Sequence, residues 1–392
     1  MDLAQLKDEL WLDSPAADVL SFAAVVDALV AVESALTLAL ADVDLVEFET
    51  AIAICEKYSV AAEALKVLGF AGAAEHQGGQ SQGLLEQLAA SLNAVAIESS
   101  AEAGALISNA AGSQDIADST LMLLAKTALI ETHQQLIGVV LSIMQFVHAY
   151  RKSPALQRNT DGTAAASTFG LKLASWLDGI VQATAQLTAV IDSLPSQLGG
   201  KAGNLAELTA ATKNSGEAVQ VANAFADRLE LAPCAPWHAN RAPILAITAV
   251  SSALASAFAN IAHDVITLAD PSIAELGEVV LDAEGNVIVG AEDGNIRARL
   301  AAASSLLMTT SQAAAIMTAA PRSVENYNTQ WLATLDTLRL TLATASLGNS
   351  LIASLDVHAD AMGLNLIAAG HEATDVHAAE QIIDAILAGI NG

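Results

Sequence analysis

"DIADSTLMLLAKTALIETHQQLIGVVLSIMQFVHAY", Asp115 to Tyr150, contains no proline and a single glycine, Gly138. At about 1.5 Å per residue an uninterrupted helix of this length is roughly 50 Å long. One small domain cannot cover such a rod, so the stretch predicts a set of comparable rods packed side by side. Four more follow from the sequence. From Thr168 to Leu194, apolar residues recur at steps of three or four (Leu173, Trp176, Leu177, Ile180, Ala183, Leu187, Ile191, Leu194), which is helical and not strand periodicity. Ser167 or Thr168 suits the start of this rod as a cap, and Pro195 with Gly199 and Gly200 marks its stop. Long helical patterns also run over Ala242–Leu268, Asn295–Ala319 and Asn326–Leu347. The fold class is all-α, with a central bundle of five long helices. Residues 1–93 read as an N-terminal helical domain, 94–347 as the bundle and 348–392 as a short C-terminal helical domain.

One stretch interrupts the pattern. In "VVLDAEGNVIVGAEDGNIRARL", Val279 to Leu300, two β-branched runs flank Asp-Ala-Glu-Gly-Asn, which is hairpin chemistry. A small β-hairpin near 279–289 is therefore expected just before the fourth rod.

Apolar residues make up 53% of the chain and aromatics only 4%, so most apolar surface comes from Ala, Leu, Val and Ile, which suits closely packed helices. Charged residues are 15%, well below the usual quarter, and mean hydropathy is +0.46. So little polar surface predicts that part of the bundle is covered by other copies of the chain. The net charge of −27, from 43 acids and 16 bases, excludes a polynucleotide partner, whose binding rests on clustered Lys and Arg. Ala242–Ala262 carries no charge, yet Thr248, Ser251, Ser252, Ser256 and Asn260 punctuate it, so it reads as a buried core helix and not a membrane span. Cys55 and Cys234 lie far apart, and the N-terminal "MDLAQLKDELWLD" is acidic, which together predict a reducing, cytoplasmic setting.

Several blocks occur in a telling order: "VVDALVAVESALTLAL" from Val25, "SQDIADSTLML" from Ser113, "RNTDGTAAASTFGLKLASWLDG" from Arg158, "LGGKAGNLAEL" from Leu198, "APWHANRAPI" from Ala235 and "IAHDVITLADPSIAELGEV" from Ile261. Together they resemble the fumarase/aspartase superfamily over nearly the whole chain. The Pro-Trp-His and Thr-Phe-Gly-Leu-Lys blocks are most similar to its 3-carboxy-cis,cis-muconate cycloisomerase branch. The resemblance implies a homotetramer with a twenty-helix core and active sites shared between subunits. It also implies lactonisation of a small polycarboxylate in protocatechuate breakdown, with no metal or organic cofactor, and a C-terminal domain shorter than the family's.

Residue by residue, the resemblance implies that Ser113 and Gln114 hold a substrate carboxylate. From the residues alone Ser113 reads equally well as a helix cap, and a helix start also attracts anions through its free N–H groups. Arg158 and Asn159 retain part of the second family segment, where Thr163 to Ala166 replace its polar residues. In the third segment, the mobile catalytic loop, Ala291 and Glu292 stand at the family's two serine positions and Arg297 at its lysine position. Glu292 is the candidate acid or base of the reaction, and an ordinary loop carboxylate is the plain reading beside it. The candidate anion contacts are Arg158, Lys201, Arg241, Arg297 and Arg299. His238 reads as structural or interfacial, and His133, His148 and His263 as bundle histidines. His371 and His377 in "HEATDVH" lack the spacing of a zinc helix. The altered second and third segments leave two other readings open: a catalytically silent member with a binding or assembly role, and a lyase acting on another di- or tricarboxylate.

Overall fold

Five long helices carry the architecture, and their bounds fall close to the periodicity of the sequence. The structure is a computed structural model and describes residues 9–75, 84–159, 163–281, 287–288, 295–319, 324–372, 374 and 378–391. After a single turn at Ala16–Val19, the N-terminal part comprises α1 (Phe22–Ala41), α2 (Phe48–Glu75), α3 (Leu84–Ser99) and α4 (Ala101–Ala110). The rod α5 (Ser113–Tyr150) follows, then the antiparallel pair β1 (Pro154–Arg158) and β2 (Ala164–Thr168), and the second rod α6 (Phe169–Ser193). Short helices α7 (Ala206–Thr212) and α8 (Ser215–Arg228) lead to α9 (Ala242–Leu268). Strands β3 (Leu276–Glu278), β4 (Val280–Leu281) and β5 (Val287–Ile288) precede α10 (Ile296–Met317) and α11 (Val324–Ala353). The chain closes with β6 (Leu355–Val357), α12 (Ala359–Ala368) and α13 (Ala379–Asn391).

The bundle is α5, α6, α9, α10 and α11, with α5 against α6 and α11, and α9 against α6, α10 and α11. On α5 the buried stripe Thr132, Leu136, Val139, Ile143 and Val147 keeps the three-and-four spacing that turns one helix face inward. A side chain at Gly138 would lie 2.8 Å from the Asn349 amide oxygen, so α11 packs tightly against the one glycine of the rod. Thr168 caps α6 by accepting from the Leu171 amide at 3.1 Å. The uncharged run in α9 packs inward through Ile244, Ile247, Leu254, Phe258 and Ile261.

The expected hairpin is present, with Val280 opposite Ile288 and Leu281 opposite Val287. Two further strand pairs had no strong signal in sequence: β1–β2, and β3 with the distant β6. Their strands are three to five residues long and draw on Ala, Ser, Gly and Asp, so neither length nor alternation marks them. Positions 93 and 348 both fall inside helices, α3 and α11.

Candidate active site

The first turn of α5 organises the site. Gly112 is the N-cap, and the Asp115 carboxylate reaches back to accept from its amide at 2.8 Å. Ser113 is thus the first helical residue and not the cap, which corrects the plainer reading of that position. Its amide and that of Gln114 lie among the helix-start donors that no intrahelical carbonyl satisfies.

Asp115 is fully buried, and the chain wraps around it. Its carboxylate also accepts from the amides of Gly199 (3.1 Å) and Gly200 (2.9 Å) and lies 2.8 Å from His238 Nε2. The Gly-Gly pair is needed for this approach: Gly200 has φ +69°, and a side chain at Gly199 would stand 2.7 Å from both His238 and Pro236. On the other side of His238, Trp237 fixes the segment. Its amide donates to Gln197 Oε1 at 2.8 Å and its indole to the Ser196 carbonyl at 2.9 Å. With a carboxylate accepting at Nε2, the imidazole is held in one orientation and one tautomer.

One turn further along α5, Asp118 forms a buried bidentate pair with Arg241 at 2.6 and 2.8 Å. Arg241 also donates to Gln330 and stacks 4.7 Å from the Trp237 ring centre. Burial pushes the Asp118 carboxyl above its ordinary range against the pull of Arg241, and burial with the nearby Asp118 charge pushes the Tyr327 phenol well up. Gln114 links the two layers by donating to Asp118 at 3.3 Å and to the His238 carbonyl at 3.2 Å. Arg241 is therefore an internal clamp, not an anion contact as expected. A guanidinium with both its bidentate face and its Nε donor occupied has little left to offer a ligand.

These elements enclose a cleft of about 470 Å³, lined by Glu86, Ala89, Ala90 and Asn93 from α3, Ser108 from α4, Ser113 and Gln114 from α5, and Gly200, Lys201 and His238. Three of the candidate residues, Ser113, Gln114 and Lys201, thus meet in one place. Lys201 is exposed and has no ion-pair partner among the described residues.

The other candidates among the described residues lie elsewhere in the chain and are already engaged. Arg158 makes a bidentate pair with the buried Glu275 at 2.6 and 2.9 Å, and Asn159, next to β1, bonds to Thr163, next to β2. Arg297 pairs with Glu278, whose carboxylate also caps the start of α10, and Arg299 pairs with Asp13. Arg297 and Arg299 sit in the first turn of a helix, each with its own acid, and do not converge on one ligand. Glu292 lies outside the described residues, as do residues 373 and 375–377 of the His371–His377 stretch. His133 is half-buried, while His148 and His263 are exposed. Among the described residues no group of three or more His, Cys, Asp or Glu side chains is placed to hold a metal ion.

Sequence reading missed Asp115 as the anchor, His238 as a cleft residue and the α3 wall. An acid three residues after Gly112, the Gly-Gly pair and the Pro-Trp-His block were the available signals. Nothing in the sequence shows that residues 112, 200 and 238 converge.

No protein-family profile matches the chain. It is 30% identical over 360 residues to a nitrosuccinate lyase of Streptomyces davaonensis, which covers 90% of this chain and 75% of the relative. It is 28% identical over 285 residues to a 3-carboxy-cis,cis-muconate cycloisomerase of Bradyrhizobium diazoefficiens, covering 71% of this chain and 62% of that one. Among solved structures, the β-carboxy-cis,cis-muconate cycloisomerase of Acinetobacter calcoaceticus superposes with a TM-score of 0.75 at 22% identity, over 95% of this chain and 86% of that one. The shared all-helical architecture, with a relative this similar over most of both lengths, makes the chain an enzyme of the fumarase/aspartase, or fumarate lyase, superfamily.

Proposed function

We propose that the chain is a homotetrameric cycloisomerase that lactonises 3-carboxy-cis,cis-muconate to carboxymuconolactone. The observation that carries this reading is the meeting of the α5 start, Lys201 and His238 in one cleft. Lys201 and the free amides of Ser113 and Gln114 supply positive potential for substrate carboxylates. His238, held at Nε2 by Asp115, adds an oriented imidazole. In the reaction a carboxylate oxygen of the substrate forms a C–O bond to one alkene carbon while the π pair takes a proton at the next. The trianion plus one proton becomes a dianionic lactone. The nucleophile belongs to the substrate, so the protein needs to bind, orient and supply one acid, and no strong base is called for. That demand suits a chain lacking the serines of the family's catalytic loop.

A second reading rests on the 30% identical relative: elimination of nitrite from nitrosuccinate, in which a C–H bond beside a carboxylate and the C–N bond both break to leave an unsaturated dicarboxylate. One experiment separates the two. Purified protein is given 3-carboxy-cis,cis-muconate, following loss of conjugated-diene absorbance, and in parallel nitrosuccinate, following nitrite. Diene loss without nitrite supports the first reading, and nitrite without diene loss replaces it. No turnover of either, with no rise in Tm on adding a tricarboxylate, leaves a silent member of the fold.

A further inference from the structure

The wall that α3 contributes to the cleft is unlike the others. Glu86 and Asn93 are seven residues apart on one helix face, with Ala89 and Ala90 between them keeping that face open. Both line the cleft. Glu86 is half-buried and no group among the described residues bonds to it, while Asn93 Oδ1 is buried without a partner. A carboxylate with no partner is an odd feature in the wall of a site that takes a polyanion, because like charges repel there.

The charged groups around Glu86 sharpen the point. Lys201 and His238 share the cleft with it. Behind them Asp115 is committed to three amides and His238, and Asp118 is committed to Arg241. Tyr327, from α11, feels the Glu86 charge. Glu207 from α7 packs beside Gly200, and α4 brings only Ser108 to the cleft. Asp115 and Asp118 would each lose several hydrogen bonds on protonation. Glu207 also keeps one buried oxygen without a partner but does not line the cleft, whereas Glu86 does, so a polycarboxylate bound in the cleft brings like charge against Glu86.

Resting on the reading of the cleft given above, we infer that Glu86 is the proton donor of the site, taking up a proton when the polycarboxylate binds and passing it to carbon. The balance is complete. The Glu86 O–H bond breaks as the new C–H bond forms, the substrate carboxylate closes the C–O bond, and Glu86 is left ionised until solvent or the next substrate restores its proton.

The test is titration calorimetry of the intact protein with tricarballylate, a saturated tricarboxylate that cannot react, at neutral pH in two buffers of different ionisation enthalpy. Wild-type protein should take up about one proton per site on binding. Glu86→Gln should abolish the uptake, bind tricarballylate at least as tightly, and lower kcat on 3-carboxy-cis,cis-muconate by about 100-fold without raising KM. Glu86→Asp, which keeps the acid, should keep the uptake. Uptake that persists in Glu86→Gln, or that disappears instead in His238→Asn, overturns the inference, as does an unchanged kcat. Uptake at Glu86 with no turnover of the muconate would sink the reaction proposed above and with it the donation step, leaving only the binding proton. Turnover with no Glu86-dependent uptake sinks this inference alone. No binding of tricarballylate overturns both.

Discussion

Asp115 shows how much a single buried acid can organise. Its two oxygens collect three backbone amides and His238, so the start of α5, the Gly-Gly turn and the Pro-Trp-His segment all depend on it. Asp115→Ala leaves those amides buried without acceptors, each costing about 1–3 kcal/mol and not additively. Unfolding in urea should show a loss of several kcal/mol, and turnover should fall further than stability because His238 is set loose. A stability loss under about 1 kcal/mol would mean the turn holds itself. Glu33 is the contrasting case. It sits in the core of α1, 1% exposed, with one carboxylate oxygen unpartnered, and burial pushes its carboxyl up to about 8 from an ordinary 4.5. Both folded and unfolded chains hold the proton below about 4.5. Between there and about 8 only the folded chain does, so stability falls steadily as pH rises through that window and levels off above it. Glu33→Met removes the ionisation, so the gain in Tm over wild type should grow from pH 5 to pH 9. An equal gain at both pH values would show that packing, and not ionisation, was at stake.

At the scale of elements, the long helices were legible because periodicity, caps and breakers agreed along each rod. Helix bounds such as Ala242–Leu268 follow directly from Pro243 at one end and Asp270-Pro271 just past the other. The cations of the site were less legible. Arg158, Arg241 and Arg299 each have an acid partner more than 100 residues away and Arg297 one 19 residues away, and no local pattern announces such a pair. In a chain with 16 bases and 43 acids, most bases find an acid simply by abundance. The Asp118–Arg241 pair locks α5 to the start of α9. Removing one partner strands the other charge in the interior, so Arg241→Met should cost about 3–5 kcal/mol. The double change Asp118→Leu with Arg241→Met should recover much of that loss, since two apolar groups leave no orphan charge. A double-mutant cycle by denaturant unfolding measures the coupling directly, and additive losses would show that the pair is not a unit.

At the scale of the whole molecule, the unanswered surface is the outer face of the bundle. Ile130, Ile137 and Leu141 lie 42%, 40% and 55% exposed on α5, at spacings of seven and four that place them on one stripe. Scattered exposed apolar residues are ordinary, but a stripe along a 38-residue helix in a chain with 15% charge is a surface suited to association. The same inference follows from the distribution of cations: the cleft's own free cation is Lys201 among the described residues, and one lysine with a helix start is a thin complement for the three carboxylates of the proposed substrate. Neighbouring copies would supply the rest. Ile137→Glu combined with Leu141→Glu places two charges on the stripe without touching the inward face of α5. Far-ultraviolet circular dichroism should therefore keep its helical signal while sedimentation equilibrium reports a smaller species than the wild-type protein. Turnover should fall with the mass, because a site completed by a neighbour fails when the neighbour leaves. Retained mass would place the interface on another face of the bundle. Lost mass with full turnover would mean that each chain carries a complete site, and the complement for the polyanion would then have to come from residues of the same chain.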